Sequence, residues 1–191
     1  MRLAGTPPDL SARLAEVWFR RLHADHGRDI LAYALRRVSD PEDAADIVAE
    51  TFLVAWRRAA DVPPGAEARL WLYGVARRAL ANQLRGERRR ARLTERLRVE
   101  LVEAMPGSAE YEVGDGRAEA ALAQLDPRDR EILRLTAWEE LTPGEVAQVL
   151  GISSVAARSR LHRARLRLRR ELEEQVAASA PISDLDPEEE R

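Results

Sequence analysis

Three dipeptides constrain this chain more than anything else in it: Asp40-Pro41, Asp126-Pro127 and Thr142-Pro143 each place a hydrogen-bond-accepting side chain directly before a proline. Proline is well tolerated at the first helical position, because its missing N–H has no intrahelical partner there and its fixed φ is already helical. The residue before it can cap the free amides of the first turn, and Thr142 has Glu145 three residues on, which makes a capping box. Each dipeptide therefore marks a helix start. Nothing elsewhere alternates like a strand; apolar residues recur at helical spacing between Pro and Gly punctuation. The chain is expected to be all-α.

Its 191 residues allow one ordinary domain or two small ones. The segment MPGSAEYEVGDG, from Met105 to Gly116, is polar and has few large apolar side chains, so it reads as part of a flexible linker. The expected organisation is a helical domain over 10–98, a linker over 99–117, a second helical domain over 118–173 and an acidic disordered tail over 174–191. Zero Cys excludes disulfides, thiolate zinc sites and cysteine nucleophiles, and His23, His26 and His162 leave little for metal chemistry. No catalytic residue, metal site or cofactor is expected. There is no run of eighteen apolar residues and no basic-then-apolar N-terminus, so neither a membrane span nor a secretory signal is expected and a cytoplasmic location follows.

Net charge is only -2, yet the charge is sorted. All 31 basic residues are Arg, which fits a GC-rich coding bias; their distribution says more. Ten Arg against two Glu between Arg69 and Arg98 leave a local balance of +8, and Arg158 to Arg170 holds seven Arg with no acid. The stretch from Asp40 to Glu50 has five acids and no base. Two separated cationic segments on a near-neutral chain read as two polyanion contacts joined by something flexible.

The N-terminal part yields a helix from about Leu10 to His26, a second carrying Ile30, Leu31, Ala34, Leu35 and Val38, and a third from Pro41 to about Arg58. On the third, Ala45, Val48, Phe52 and Ala55/Trp56 fall near one face, while Asp43, Asp46 and Glu50 fall on another. That acidic stripe is either a solvated face or a docking surface for a basic partner helix. After Val62-Pro63-Pro64-Gly65 comes a helix with Leu72, Val75, Ala76, Ala79 and Gln83 inward and Arg77, Arg78, Asn82 and Arg85 outward. Trp71 and Tyr73 near its start are either core rings or stacking platforms for exposed bases beside phosphate-tracking Arg, and one ring can be buried while the other stands at the rim.

The C-terminal part is the more specific. PGEVAQVLGISSVAARSRLHRARLRLRREL reads as a short helix over Pro143 to Leu150, Gly151 at a turn, Ile152 at the corner, and Ser153 or Ser154 capping a long helix. Ala157, Leu161, Ala164 and Leu168 share a narrow inner face. Val155, Ser159, His162 and Leu166 lie opposite, with Arg on both shoulders. Such a helix suits a major groove, read from its N-terminal turns by Arg158, Ser159, His162 and Arg163, with Arg165, Arg167, Arg169 and Arg170 left for phosphates or solvent. The competing interpretation is an Arg-rich amphipathic helix packed in a bundle.

In order and spacing, SDPEDAADIVAETFLVAWRR, RLWLYGVARRALANQLR and LDPRDREILRLTAWEELTPGEVAQVLGISSVAARSRLHRAR closely resemble blocks of the extracytoplasmic-function group of bacterial RNA polymerase sigma factors. The resemblance implies a region 2 bundle and a region 4 helix-turn-helix joined by a linker, and no enzymatic activity. It places Asp43, Asp46, Glu50, Phe52 and Trp56 against core RNA polymerase. It places Arg69, Trp71, Tyr73, Arg77, Arg78, Asn82 and Arg85 at the minus-ten promoter element. At the minus-thirty-five element it places Ser154, Val155, Arg158, Ser159, His162, Arg163 and Arg165. Core polymerase and promoter DNA are the implied partners, with an anti-sigma protein as a further candidate. Ala68, where the family often has an aromatic residue, and Val155-Ala156, where Gly-Thr is usual, depart from the pattern and bear on which promoter is read. Two other classes compete: a polymerase-independent helix-turn-helix regulator, which leaves the acidic stripe unexplained, and a metal-dependent nuclease, for which Asp43, Asp46 and Glu50 are the sole carboxylate cluster.

Overall fold

The computed structural model describes the backbone of residues 8–98 and 116–179 and the side chains of 13–86 and 118–177. Seven α-helices and no strand are found among the described residues, and the chain divides into two compact units whose main boundary falls between residues 111 and 112.

The first unit holds α1 (Pro8–Leu35), α2 (Pro41–Arg57), one 3-10 turn (Ala59–Asp61) and α3 (Glu67–Arg98). A break expected near His26 is absent, and α1 runs on as one helix. No proline falls inside it after the first position, and the packing of Leu22, Ile30, Tyr33 and Ala34 along one stripe outweighs the roughly 1 kcal/mol that an interior Gly27 costs against Ala. Gly27 also makes room: a Cβ there would come 3.2 Å from the His23 ring. Asp40 caps α2 by accepting from the Glu42 amide at 2.8 Å.

The inner stripe of α2 is rotated from the expected one. Ala44, Ile47, Thr51, Phe52 and Ala55 are buried, while Ala45 is exposed, Val48 half-buried and Trp56 exposed. Alanine at both 44 and 45 left the face ambiguous. Ile47 carries the larger apolar group, and Thr51 can face the core because its hydroxyl donates to the Ile47 carbonyl at 2.6 Å. Leu72, Tyr73, Val75 and Ala76 of α3 close the core from the other side. Gly65 takes φ 66°, a left-handed turn that glycine accepts without strain, just before α3 begins.

The second unit holds α4 (Gly116–Gln124), α5 (Pro127–Ala137), α6 (Pro143–Leu150) and α7 (Ser154–Ser179). Helix α4 begins within the expected linker; residues 99–115 lie outside the described residues. Helix α7 continues through 174–179, where a disordered tail was expected, because Glu, Gln and Ala are good helix formers and no breaker intervenes before Pro181. The rest of that tail, 180–191, lies outside the described residues.

Most buried side chains of this unit are aliphatic, among them Leu122, Leu125, Ile132, Leu135, Leu141, Val146 and Leu161, with Asp129 and Glu139 as buried acids. Polar groups fasten its corners. Asp126 accepts from the Arg128 amide at 2.8 Å, and Arg130 reaches back from α5 to the Leu122, Ala123 and Leu125 carbonyls at 2.8, 2.6 and 3.1 Å, satisfying the open end of α4. Arg134 pairs with Glu119 at 2.5 Å.

Candidate nucleic-acid interface

Three capping devices delimit α6 and start α7. At the start of α6, the Thr142 amide donates to Glu145 Oε2 at 2.8 Å and the Glu145 amide donates to Thr142 Oγ1 at 3.4 Å, a reciprocal capping box. At its end the Ile152 amide donates to the Ala147 carbonyl at 3.0 Å and the Gly151 amide to the Gln148 carbonyl at 3.2 Å. With Gly151 at φ 66°, this is a Schellman motif with glycine at its left-handed position. Ser153 then caps α7 by accepting from the Ala156 amide at 3.1 Å.

These local bonds set the start of a helix whose two faces separate cleanly. Ala157, Leu161 and Ala164 are buried and Leu168 half-buried. Ser154, Val155, Arg158, Ser159, His162, Arg163 and Arg165 are all exposed, Val155 at 66%. Arg163 folds over its own helix, Nε donating to the Ser159 carbonyl at 3.4 Å. Arg167 departs from the expected pattern: it pairs with the buried Asp129 of α5. Recognising that pair requires knowing that α5 packs on α7, which helical periodicity alone does not reveal.

In the first unit, Arg77, Arg78, Asn82 and Arg85 form the outer face of α3, and Arg85 donates to the Asn82 side-chain oxygen. Arg69 is half-buried, its guanidinium 5.8 Å from the Tyr73 ring centroid and 3.9 Å from Asp29. The two rings at the head of α3 divide as the mixed alternative has it. Trp71 stays partly accessible, whereas Tyr73 is 2% exposed and packs 5.5 Å from Tyr33. Tyr73 is therefore a core ring that cannot stack on a base, which corrects its expected place at the minus-ten element.

The acidic stripe of α2 is also less uniform than its spacing implied. Asp46 and Glu50 are exposed, but Asp43 is half-buried and accepts a hydrogen bond from Gln83 of α3. Phe52 is buried between Phe19 and His23, at 6.2 and 4.7 Å between ring centroids, so it supports the surface and does not form it. Trp56, 45% exposed and edge-on to Phe19 at 5.3 Å, does form it. Among the described residues no group of three or more His, Asp or Glu is placed to hold a metal ion, and no helix is long and apolar enough to cross a membrane.

Fold and surface together define a helix-turn-helix protein that carries a second helical unit with an arginine face. Residues 22–90 match the family model of Sigma-70 region 2, and residues 115–168 match that of Sigma-70, region 4. The ECF RNA polymerase sigma factor SigL of Mycobacterium tuberculosis is 33% identical over 164 residues, covering 81% of this chain and 89% of that protein. The ECF RNA polymerase sigma factor SigG of the same species is 32% identical over 166 residues, covering 74% of this chain, which spans only 45% of SigG's length. The solved structure of CnrH in complex with the cytosolic domain of CnrY is similar at TM-score 0.59 and 29% identity, covering 90% of this chain and 97% of that one. The chain belongs to the extracytoplasmic-function group of the sigma-70 family of RNA polymerase sigma factors.

Proposed function

We propose that this chain is a non-enzymatic initiation factor that binds core RNA polymerase in the cytoplasm, reads promoter DNA at two elements and promotes strand opening. The observation that carries this reading is the order of two exposed basic faces on one chain. The α3 face of Arg77, Arg78, Asn82 and Arg85 lies within the region 2 match, and the α7 face of Arg158, Ser159, His162 and Arg163 lies within the region 4 match.

The division of labour is as follows. Residues 10–98 dock on polymerase through Asp46, Glu50 and Trp56, with Asp43 and Phe52 supporting that surface from inside. The same unit takes the minus-ten element with Arg69, Trp71, Arg77, Arg78, Asn82 and Arg85. Residues 118–173 read the minus-thirty-five element in the major groove through the exposed face of α7.

Neither reader suffices alone, since a helix-turn-helix supplies a few base contacts at about 1–3 kcal/mol each and the remainder is salt-sensitive phosphate attraction. Polymerase holds the two readers at one separation, so engagement of the first raises the effective concentration of the second. Bases captured by stacking beside Trp71 favour the open duplex, at about 1–3 kcal/mol per base. CnrH, solved with the cytosolic domain of CnrY, is the model for a further, anti-sigma type of protein partner.

Reconstituted transcription tests the reading: purified chain and core polymerase on a promoter library should give run-off products that depend on the chain. Arg158→Ala should weaken one upstream base preference, and Trp71→Ala should spare duplex contact while slowing strand opening reported by a fluorescent base. Sequence-specific duplex binding without polymerase, and no initiation with it, would make the chain a conventional regulator instead.

A further inference from the structure

The inner face of α7 is mostly small, with Leu161 its one large buried side chain among the described residues. Of its three buried residues, Ala157 and Ala164 present only methyl groups, which let neighbouring helices approach without interlocking. Such a stripe fixes the distance between helices better than it fixes the rotation of α7 about its own axis. A directional contact joins this helix to α5: Arg167 Nη1 donates to Oδ2 of Asp129, in the first turn of α5. Asp129 is 5% exposed, whereas 54% of the Arg167 side chain remains in solvent. A carboxylate taken out of water needs a cation beside it, and the planar guanidinium meets it in a restricted geometry. Arg167 lies one turn beyond Arg163 on the same shoulder of the helix, so its position along the α5 surface sets where Arg163 points.

We propose that Asp129 and Arg167 form a rotational lock on the recognition helix: they are positioning residues that set the angle at which Arg158, Ser159, His162 and Arg163 meet a DNA groove. The lock rests on the promoter-reading role proposed for α7. Side chains reach about 5–6 Å from a helix axis, so 20° of rotational slack moves each tip by about 2 Å, more than a hydrogen bond tolerates. A lost lock blurs discrimination between bases. A lost phosphate contact behaves differently, weakening binding evenly across sequences.

The test uses the full chain assembled with core polymerase, on a promoter library randomised across the upstream element, with transcripts sequenced and thermal unfolding followed by circular dichroism. In the double variant Asp129→Leu with Arg167→Met, apolar side chains replace both partners, an exchange that commonly leaves stability equal or higher. The double variant is expected to melt no lower than wild type and still to initiate. Its preference for favoured over disfavoured upstream bases should fall about tenfold, the scale of one misplaced base contact, with downstream preference unchanged. Asp129→Asn, which keeps volume and a hydrogen-bond acceptor, is expected to fall between and secures the test should the double variant not fold. Wild-type discrimination in both variants overturns the lock. Even loss of initiation with discrimination intact overturns it too, and makes Arg167 a phosphate contact. Failure of the wild-type chain to direct initiation at all would show itself before any variant is compared, and would remove the promoter reading and the lock together.

Discussion

In the first unit aromatic contacts reinforce an otherwise aliphatic core: the buried Tyr33 packs against Tyr73, and the buried Phe52 lies between Phe19 and His23, with Trp56 edge-on to Phe19 at the surface. In the second unit no two aromatic rings pack together among the described residues, and its one tryptophan, Trp138, stays 39% exposed beside Arg134. Directional polar groups take their place there: the capping box of Thr142 and Glu145, the Schellman turn at Gly151, the three-carbonyl grip of Arg130 and the Asp129–Arg167 pair. Rings bury much area and tolerate small shifts, whereas caps and ion pairs bury little and fix angles. Under the proposed promoter-reading role, a unit that aims side chains at base edges gains more from angles than from area. On that reading, ring contacts serve stability in the first unit and directional polar groups serve aim in the second.

The largest expected effect comes from removing a ring. Phe52→Ala in the first unit should cost about 3–5 kcal/mol, because it empties a site 3% exposed between two neighbouring rings. Hydrogen exchange read by mass spectrometry in mild urea should show α1, α2 and α3 losing protection while α5, α6 and α7 keep theirs. Equal loss in both units would mean that they unfold as one, and the contrast between them would fail. The next largest effect belongs to the second unit: Arg130→Ala removes the side chain that bridges three carbonyls at the end of α4, of which Leu122 keeps the Leu125 amide as donor, and should cost about 1–3 kcal/mol, confined to α4 to α7.

The same contrast explains what could be read from residues alone. Helix starts at Asp40, Asp126 and Thr142, the turn at Gly151 and the exposed face of α7 were legible because each is decided within a few residues, by caps, φ angles or helical period. The stripe of α2 was misjudged by one position, since Ala44 and Ala45 are equivalent until the helix meets its neighbours. The burial of Tyr73 and the continuity of α1 through Gly27 likewise depend on tertiary packing. Arg130 and Arg167 were least legible. In a chain with 31 basic residues, all Arg, composition cannot distinguish an arginine that holds the fold from one that faces a phosphate. Only the acid or carbonyl brought opposite by the fold decides.

A smaller effect sharpens the role of the caps. Thr142→Ala removes the hydroxyl that accepts from the Glu145 amide, and should cost about 1 kcal/mol in the second unit. Retaining Glu145 leaves its bond to the Thr142 backbone amide in place, so Thr142→Ala with Glu145→Ala should cost more than the single change. Urea titration of the two variants, with protection of α6 as the readout, separates the two halves of the box.

The smallest expected change is a gain. Glu140, in the loop from α5 to α6, takes φ 55°, the one non-glycine residue with positive φ among the described residues, whereas Gly65 and Gly151 meet the same demand with the residue suited to it. A left-handed conformation costs an L-residue roughly 1–2 kcal/mol, and the greater freedom of glycine in the unfolded chain returns up to about 1 kcal/mol of that. Glu140→Gly should therefore stabilise the second unit by about 0.5–1 kcal/mol, seen as a rise of several degrees in its unfolding midpoint with the first unit unmoved. A fall instead would mean that the Glu140 carboxylate holds the loop in place. That would move Glu140 from strained connection to one more of the polar fasteners that set this unit apart, and would predict that Glu140→Gln, which keeps an acceptor at the same place, recovers part of the loss.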